Sequence, residues 1–263
     1  MNNNFFTSDN YDTPKNTKRV FLDKLMLNTR IYFVFKFLKF VLKTRKLALT
    51  GVYDDNKWEL SSNAIFKLIE NCGGKIHITG LDYLRNCEGP VVFVSNHMGT
   101  METMIFPCII NPIKKITFVV KDSLVSHPFF GSIMRSRKPI VVSRSNSRED
   151  FKIVMDEGEK ILASGKSIVI FPQSTRRVEF IPKEFNSLGV KLASKAKVKI
   201  IPVAIKTDFW ENGKYIKELG PINRKKQIYI SFGQVLSVKG TGKEEHKKIL
   251  EFISSNLARW QAI

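Results

Sequence analysis

Short apolar runs alternate with longer amphipathic stretches along most of this chain. Runs rich in Val, Ile and Phe predict buried strands. These runs cover residues 75–79, 91–94, 116–120, 139–144, 168–171, 199–205 and 227–235. Helical spacing of apolar residues lies between them, at 57–71, from 101 onward, and at 127–138, 149–163, 186–197 and 242–260. Strands that alternate with helices predict an α/β fold.

The first 56 residues have a different pattern. Residues 1–17 are polar and lack a signal-peptide pattern, so we expect a disordered tail there. Residues 18–56 are predicted to be helical, and their apolar, aromatic core at 31–42 is too short to span a bilayer, which needs roughly 20 apolar residues. Basic residues flank this core, a pattern typical of a helix lying in a membrane interface. The alternative is a helix that docks on the protein's own body. Residues 57–263 are predicted to form one domain.

Charge narrows the choice of partner. The chain has 263 residues and a formal net charge of +19, from 43 Lys and Arg against 24 Asp and Glu. So basic a chain favours an anionic partner, which could be nucleic acid, anionic lipid headgroups or phosphorylated substrates. Nucleic acid is disfavoured, because the aromatic residues near the N-terminus form one apolar block instead of alternating with Arg and Lys. The three cysteines lack metal-ligand spacing, which indicates reduced thiols, a cytosolic compartment and no metal site.

Chemistry-bearing residues begin where the apolar run 91–94 ends. His97 follows this run, and Glu102 lies in the first turn of the next predicted helix, for which Thr100 is the predicted N-cap. Open α/β folds place reactive groups at the carboxyl ends of strands. A bend between the two residues lets the carboxylate reach one imidazole nitrogen and leave the other as a base. Alternatively, His97 is a structural histidine and Glu102 only favours the helix N-terminus.

Two further predicted strands end in cationic and polar residues. Arg144 closes the run 139–144 shortly before a helix begins, which suits an anion site, although a solvated surface arginine is the alternative. The run 168–171 opens after Pro172 into a polar loop whose side chains can bind phosphate oxygens. The loop contains Gln173, Ser174, Thr175, Arg176 and Arg177.

Four of these segments, in this order and spacing, resemble the glycerolipid acyltransferase family of 1-acylglycerol-3-phosphate acyltransferases and related lysophospholipid acyltransferases. The family motifs are Asn-His-x4-Asp, an apolar strand closing in Arg, Phe-Pro-Glu-Gly-Thr-Arg, and an apolar strand around a proline. The matching segments are Asn96-His97-x4-Glu102, Ile140–Arg144, Phe171–Arg176 and Ile200–Ala204. The resemblance covers roughly residues 75–235.

The resemblance implies a fold and a reaction. The fold would be a single mixed, largely parallel central sheet flanked by helices, similar to glycerol-3-phosphate acyltransferase. His97, oriented by Glu102, would take the proton from an acceptor hydroxyl as it attacks an acyl thioester. Arg144 and Arg176 would hold the acceptor phosphate. The substrate-binding residues implied by the family motifs are Asn96, Arg144, Gln173, Ser174, Thr175 and Arg176.

The predicted function is therefore O-acyl transfer from acyl-CoA or acyl carrier protein to a lysophospholipid, with 1-acylglycerol-3-phosphate as the first-choice acceptor and no further cofactor. The protein would act at the cytoplasmic face of a membrane, as a peripheral or monotopic protein. Glu102 replaces the family aspartate, and Gln173-Ser174 replaces Glu-Gly, so a different lipid acceptor is one alternative. A non-catalytic basic lipid-binding protein is the other.

Overall fold

The computed structural model describes residues 3–27, 29–173 and 175–262. Within these ranges eight strands form one sheet, in the order β1-β2-β8-β7-β3-β6-β4-β5. The strands are β1 (Tyr11–Asp12), β2 (Ile76–Thr79), β3 (Val91–Ser95), β4 (Ile116–Lys121), β5 (Ile140–Val142), β6 (Ser167–Ile170), β7 (Lys199–Lys206) and β8 (Ile228–Phe232). The helices are α1 (Phe21–Leu25), α2 (Ile31–Leu49), α3 (Asp55–Asn71), α4 (Leu81–Arg85), α5 (Met101–Ile110), α6 (Asp122–Val125), α7 (Gly131–Ser136), α8 (Ser147–Ala163), α9 (Leu188–Lys195) and α10 (Lys243–Gln261). Short 3₁₀ turns lie at Pro182–Glu184 and Lys217–Leu219.

Most of the sheet is parallel, as the sequence predicts. Strands β7, β3, β6, β4 and β5 all run in one direction. Strand β8 is antiparallel to β7, β2 is parallel to β8, and β1 is antiparallel to β2. Strand β3 is buried along its whole length, which explains why its sequence is a continuous apolar run without polar alternation. The prediction of a single, largely parallel sheet flanked by helices is confirmed.

Helices cover both faces of this sheet and divide the core in two. In β3, Val91 and Phe93 point into the core beneath α2, α3 and α5, whereas Val92 and Val94 point into the core beneath α8, α9 and α10. The side chain of Asp54 accepts a hydrogen bond from the Lys57 N–H, which caps α3. Because the five strands from β7 to β5 are parallel, their carboxyl ends meet at one open edge of the sheet, between the two helical layers.

The N-terminal residues differ from the disordered tail predicted for residues 1–17. Strand β1 pairs with β2, and the Thr13 N–H donates to the Ile76 carbonyl at 2.9 Å. Phe6 is buried, and its ring meets the rings of Tyr11 and Phe66 edge-on, with centroids 5.1 and 5.2 Å apart. The few aromatic residues in this polar stretch therefore hold it on the body.

Helix α2 docks on the protein's own body through one face, which is the alternative interpretation of the N-terminal apolar core, while membrane binding stays a prediction. Its buried side chains include Phe33 and Phe37, whose rings meet that of Trp210 edge-on at centroid distances of 4.8 and 4.9 Å. Its outer face exposes Phe35 (62%) and other large apolar side chains. The exposed apolar surface of α1 and α2 consists of Phe21, Leu22, Leu25, Ile31, Phe35, Leu38, Leu42 and Leu49. Among the described residues, no helix is both long and apolar enough to cross a membrane.

Candidate active site

His97 and Glu102 form a hydrogen-bonded pair at the open edge of the sheet. His97 lies in the loop between β3 and α5, and its Nδ1 is 2.8 Å from Glu102 Oε1. Both side chains are buried, Glu102 completely. The bend after β3 thus brings together two residues that a continuous helix would separate around its axis. The predicted contact between them is confirmed, whereas their catalytic roles remain a proposal.

Glu102 accepts hydrogen bonds from four donors. Besides His97, the backbone N–H groups of Met98 and Gly99 donate to Oε1 at 2.7 and 2.8 Å, and the Thr207 hydroxyl donates to Oε2 at 2.7 Å. Burial alone would oppose ionisation, but the hydrogen bond and charge of His97, together with the Gly99 N–H, hold the pKa of Glu102 below its ordinary value. Glu102 is therefore a carboxylate, and it acts as an acceptor for His97.

The start of α5 differs from the sequence prediction in one detail. Thr100 precedes the helix but makes no side-chain capping bond. Its hydroxyl accepts a hydrogen bond from Arg176 Nη1 at 3.0 Å, and the Gly99 N–H just before the helix donates to Glu102. Thr100 therefore occupies the predicted N-cap position, but its hydroxyl contacts a residue distant in sequence and does not cap the helix.

Phe171 supports the imidazole from one side. Its ring is stacked on that of His97, with centroids 4.2 Å apart and an interplanar angle of 19°. Phe106 and Phe118 stack on Phe171 in turn, each at 6.3 Å. This aromatic stack, together with the bond to Glu102, fixes the orientation of the His97 ring and leaves Nε2 as the ring nitrogen not bonded to Glu102.

Two of the predicted substrate-binding residues, Asn96 and Gln173, hydrogen-bond to the backbone. The Asn96 side chain donates to the Ile205 carbonyl and accepts from the Ile205 N–H, both at 2.9 Å, and so joins the ends of β3 and β7. Gln173 Oε1 accepts from the His97 N–H at 2.6 Å. Both side chains are buried, and neither lines the cavity beside His97. These bonds hold the loops after β3 and β6 in place, and substrate binding by Asn96 and Gln173 stays a prediction.

Arg144 follows β5 in an unusual backbone conformation. Its φ is +61°, in the left-handed region that non-glycine residues seldom adopt. The Asp150 carboxylate holds this turn by accepting the backbone N–H groups of Ser143 and Arg144 at 2.8 and 2.7 Å. Desolvation and then the positive charge of Arg176 lower the pKa of Arg144 below its ordinary value.

Arg176 reaches the same region from the loop after β6. In addition to Thr100, its Nη1 contacts Glu218 Oε1 at 2.9 Å. Thr175 lies beside it, whereas Ser174, the remaining predicted binding residue, lies outside the described residues. Arg144, Thr175 and Arg176 line one cavity together with His97. The prediction that Arg144 and Arg176 lie on the same face of the sheet is confirmed, in that both line this cavity.

The cavity beside His97 has a volume of about 370 Å³. Its apolar walls come from α2, β4 and α7, and they include Phe40, Val41, Phe118, Val120, Ile133 and Met134. Its polar lining includes the two arginines, Lys217 and Glu218. An apolar chamber that also presents two guanidinium groups suits a molecule with a hydrocarbon part and an anionic part. Within the described ranges, no group of three or more His, Cys, Asp or Glu side chains is arranged to hold a metal ion.

Some site residues carry no signal in the sequence. Thr207 lies 105 residues beyond Glu102, and Glu218 lies 42 residues beyond Arg176, so only the folded chain brings these pairs together. Phe171 is predicted at the end of a buried strand and at the start of the third motif, but with no role in the site. Its position before the Phe-Pro break could have indicated a place at the edge of the sheet.

Comparison with known proteins agrees with this geometry. A family model described as Acyltransferase matches residues 75–206, and the chain therefore belongs to the Acyltransferase family. This confirms the resemblance drawn from the four motifs.

Individual relatives share less than a third of their aligned residues with this chain. A 1-acyl-sn-glycerol-3-phosphate acyltransferase from Pseudomonas aeruginosa is 29% identical over 171 residues, which are 65% of this chain and 62% of the relative. A lyso-ornithine lipid O-acyltransferase from Rhizobium meliloti is 28% identical over 86 residues, which are 33% of this chain and 28% of that protein. The chain thus spans less than two thirds of the length of these relatives.

A solved structure shows the same fold. The crystal structure of the 1-acyl-sn-glycerophosphate acyltransferase PlsC from Thermotoga maritima superimposes with a TM-score of 0.65. The superposition covers 92% of this chain and 98% of that one, at 18% sequence identity. At this identity the likeness concerns the fold, and it supports the arrangement of helices around one mixed sheet.

Proposed function

We propose that this protein is an O-acyltransferase that moves a fatty acyl group from an acyl thioester to the hydroxyl of a lysophospholipid. One observation carries the proposal: the His97–Glu102 pair lies beside an apolar cavity that Arg144 and Arg176 also line. The family match and the name of the Pseudomonas relative support 1-acylglycerol-3-phosphate as the acceptor. The donor would be acyl-CoA or acyl carrier protein.

The pair suits general base catalysis by His97. Glu102 accepts the Nδ1–H, so Nε2 takes the proton of the acceptor hydroxyl while the hydroxyl oxygen forms a bond to the thioester carbonyl carbon. The resulting tetrahedral intermediate collapses as its C–S bond breaks. The departing thiolate receives the proton back from Nε2. The Glu102 carboxylate stabilises the imidazolium that exists between these two proton transfers.

The cavity lining suits the remaining parts of the substrates. Arg144 and Arg176 offer two guanidinium groups to the acceptor phosphate, to which arginine binds in a bidentate manner. Thr175 adds a hydroxyl. The apolar walls from α2, β4 and α7 suit a fatty acyl chain, because burying each CH₂ group contributes about 0.8 kcal/mol.

A second acceptor class follows from one detail of the loop after β6. The Gln173 amide oxygen is used by the His97 N–H, so this position offers the acceptor neither the charge nor the free carboxylate of the family's glutamate. An acceptor other than 1-acylglycerol-3-phosphate is therefore the second candidate. Lyso-ornithine lipid, which the name of the Rhizobium relative specifies, therefore belongs in the panel of acceptors.

We also propose that α1 and α2 place the enzyme on an anionic membrane surface, as a peripheral protein at the cytoplasmic face. Their exposed apolar side chains lie among Lys24, Lys36, Lys39 and Lys43, a combination that favours interfacial binding. Phe35→Ser should weaken binding to vesicles that contain anionic phospholipid. Phe151→Ser removes a 40% exposed phenylalanine from α8, on the opposite face of the sheet, and is the matched control. Equal binding by the two variants would refute the proposed orientation.

The proposed reaction is tested by acyl transfer from a long-chain acyl-CoA and from acyl carrier protein to a panel of lysolipids. His97→Ala should abolish transfer. His77→Ala is the matched control, because His77 Nδ1 also lies within hydrogen-bond distance, 2.5 Å, of a carboxylate, that of Asp12, but His77 does not line the cavity. Transfer that survives His97→Ala would exclude the mechanism. A wild type that binds vesicles yet transfers nothing would favour a non-catalytic lipid-binding protein.

A further inference from the structure

Arg176 already holds a carboxylate in this structure. Glu218 Oε1 lies 2.9 Å from Arg176 Nη1, and both side chains are partly buried, with 21% and 18% of their surface exposed. Glu218 comes from the 3₁₀ turn Lys217–Leu219, in the connection between β7 and β8. It lines the same cavity as His97 and Arg144. The guanidinium group that the proposed function assigns to the acceptor phosphate is therefore paired internally.

We propose that Glu218 is a built-in competitor for the anion site at Arg176, and that it sets the affinity of the enzyme for its acceptor. Its carboxylate occupies the place of the acceptor's anionic group and leaves when that group binds. This inference rests on the proposed function and adds to it a residue that no motif indicates.

The exchange is feasible because Arg176 and the turn keep their positions. Thr100 Oγ1 accepts from the same Nη1 at 3.0 Å, so Arg176 stays oriented after the carboxylate has left. The backbone of the turn is held by the bond from Arg30 Nη1 to the Leu219 carbonyl, at 2.7 Å. Rotation of the Glu218 side chain toward solvent is then sufficient.

Charge explains why the acceptor wins this exchange. A phosphate monoester carries nearly two negative charges at neutral pH, against one for Glu218. It also meets Arg144 and Lys217, which line the same cavity. By contrast, a weakly held anion must displace Glu218 without that second contact. The internal carboxylate lowers the affinity of the site for every anion alike, so anions that cannot bridge both arginines, which already bind weakly, are the first to be excluded.

Competition of this kind has a quantitative signature. If Glu218 must leave before any anion binds Arg176, its removal strengthens the binding of every such anion by a common factor. A partly exposed ion pair contributes about 0.4–1 kcal/mol, which corresponds to roughly two- to fivefold at 1.4 kcal/mol per decade. Steps after binding are unaffected, so kcat stays the same.

The test compares Glu218→Gln with the wild type in two assays. In acyl transfer to 1-acylglycerol-3-phosphate, the KM for the acceptor and the inhibition constant of inorganic phosphate should both fall by that same factor, with kcat and the donor KM unchanged. In calorimetry without donor, the Kd of inorganic phosphate should fall equally. Glu184→Gln is the matched control: Glu184 pairs at 2.6 Å with Arg177, the neighbouring arginine, which does not line the cavity.

The outcomes separate the two proposals. Unchanged phosphate affinity in Glu218→Gln, or an equal change in Glu184→Gln, would overturn the competitor role. A fall in the acceptor KM without a fall in phosphate Kd would also overturn it, because Glu218 would then contact another part of the acceptor. Glu218→Ala repeats the test if the glutamine variant is unstable. If no acceptor is acylated but phosphate binding still tightens, the proposed function fails and the competitor role stands.

Discussion

Replacing Glu102 by glutamine separates the charge of this side chain from its shape. An amide oxygen at the Oε1 position can still accept from His97 Nδ1 and from the Met98 and Gly99 N–H groups. The amide nitrogen would then face Thr207, whose hydroxyl can accept a hydrogen bond. Every present contact therefore has a counterpart in the variant, and the fold should be retained. What disappears is the negative charge beside the imidazole.

The loss of activity follows from the proton that His97 carries during the reaction. A correctly oriented general base contributes about 10²–10⁴-fold to rate, and the carboxylate 2.8 Å away stabilises its protonated form. We expect kcat for acyl transfer to fall by about 10²–10³-fold, or about 3–4 kcal/mol at 1.36 kcal/mol per decade. The acceptor KM should change little, because Arg144 and Arg176 are untouched. Steady-state kinetics with acyl-CoA measures both quantities.

Thr207→Val provides the control for this variant. It removes the donor to Oε2 but keeps the charge and the contact with His97, so the rate should fall by less than about tenfold. The reasoning would be refuted by a folded Glu102→Gln enzyme that retains activity within about threefold of the wild type. Equal losses in both variants would show that the position of the carboxylate matters more than its charge.

Three further predictions concern stability and accessibility. Because the pKa of Glu102 is lower in the folded state than its ordinary 4.5, the ionised side chain stabilises the fold above about pH 4.5 and this contribution is lost as the pH falls through the folded-state value. The difference in unfolding free energy between the wild type and Glu102→Gln, measured in urea, should therefore shrink below pH 4.5; a difference that grows there would contradict the assignment. Asn96→Ala should lower the free energy of unfolding by about 3 kcal/mol, since it leaves a buried N–H and a buried C=O at the end of β7 without their partner; a loss below about 1 kcal/mol would argue against the cross-link. Burial raises the pKa of the Cys72 and Cys108 thiols to about 12, so a disulfide reagent near neutral pH should modify them only after denaturation, and rapid modification of the folded protein would contradict their burial.

The sheet could be predicted from sequence because its strands have a simple physical cause. Strands such as β3 and β6 are covered by helices on both faces, so their residues are apolar without interruption, and a short apolar run is sufficient evidence. The pair His97 and Glu102 could be predicted for a similar reason: both residues lie within one short loop and turn. Residues this close in sequence can form such a contact without any contribution from distant parts of the chain.

The partners of the loop residues could not be predicted, because they are distant in the chain. Asn96 and Gln173 belong to the recognised motifs, but their side chains bind the backbone of β7 and of His97. A position in a motif does not reveal whether its side chain holds a loop in place or contacts substrate. The order of the N-terminal stretch could not be predicted for the same reason. Phe6 packs against Phe66, sixty residues away in sequence, and the surrounding polar residues give no sign of this contact.

The left-handed turn at Arg144 has a consequence for the choice of residue at this position. At φ +61° a glycine would relieve backbone strain of about 1 kcal/mol or more, since it lacks a Cβ atom. The entropic cost of glycine in the unfolded chain offsets much of this gain, so Arg144→Gly should change the thermal midpoint little, while the proposed phosphate contact predicts a loss of affinity for a phosphorylated acceptor. If Arg144 binds the acceptor as proposed, the residue type that best suits this backbone turn differs from the one that suits the site.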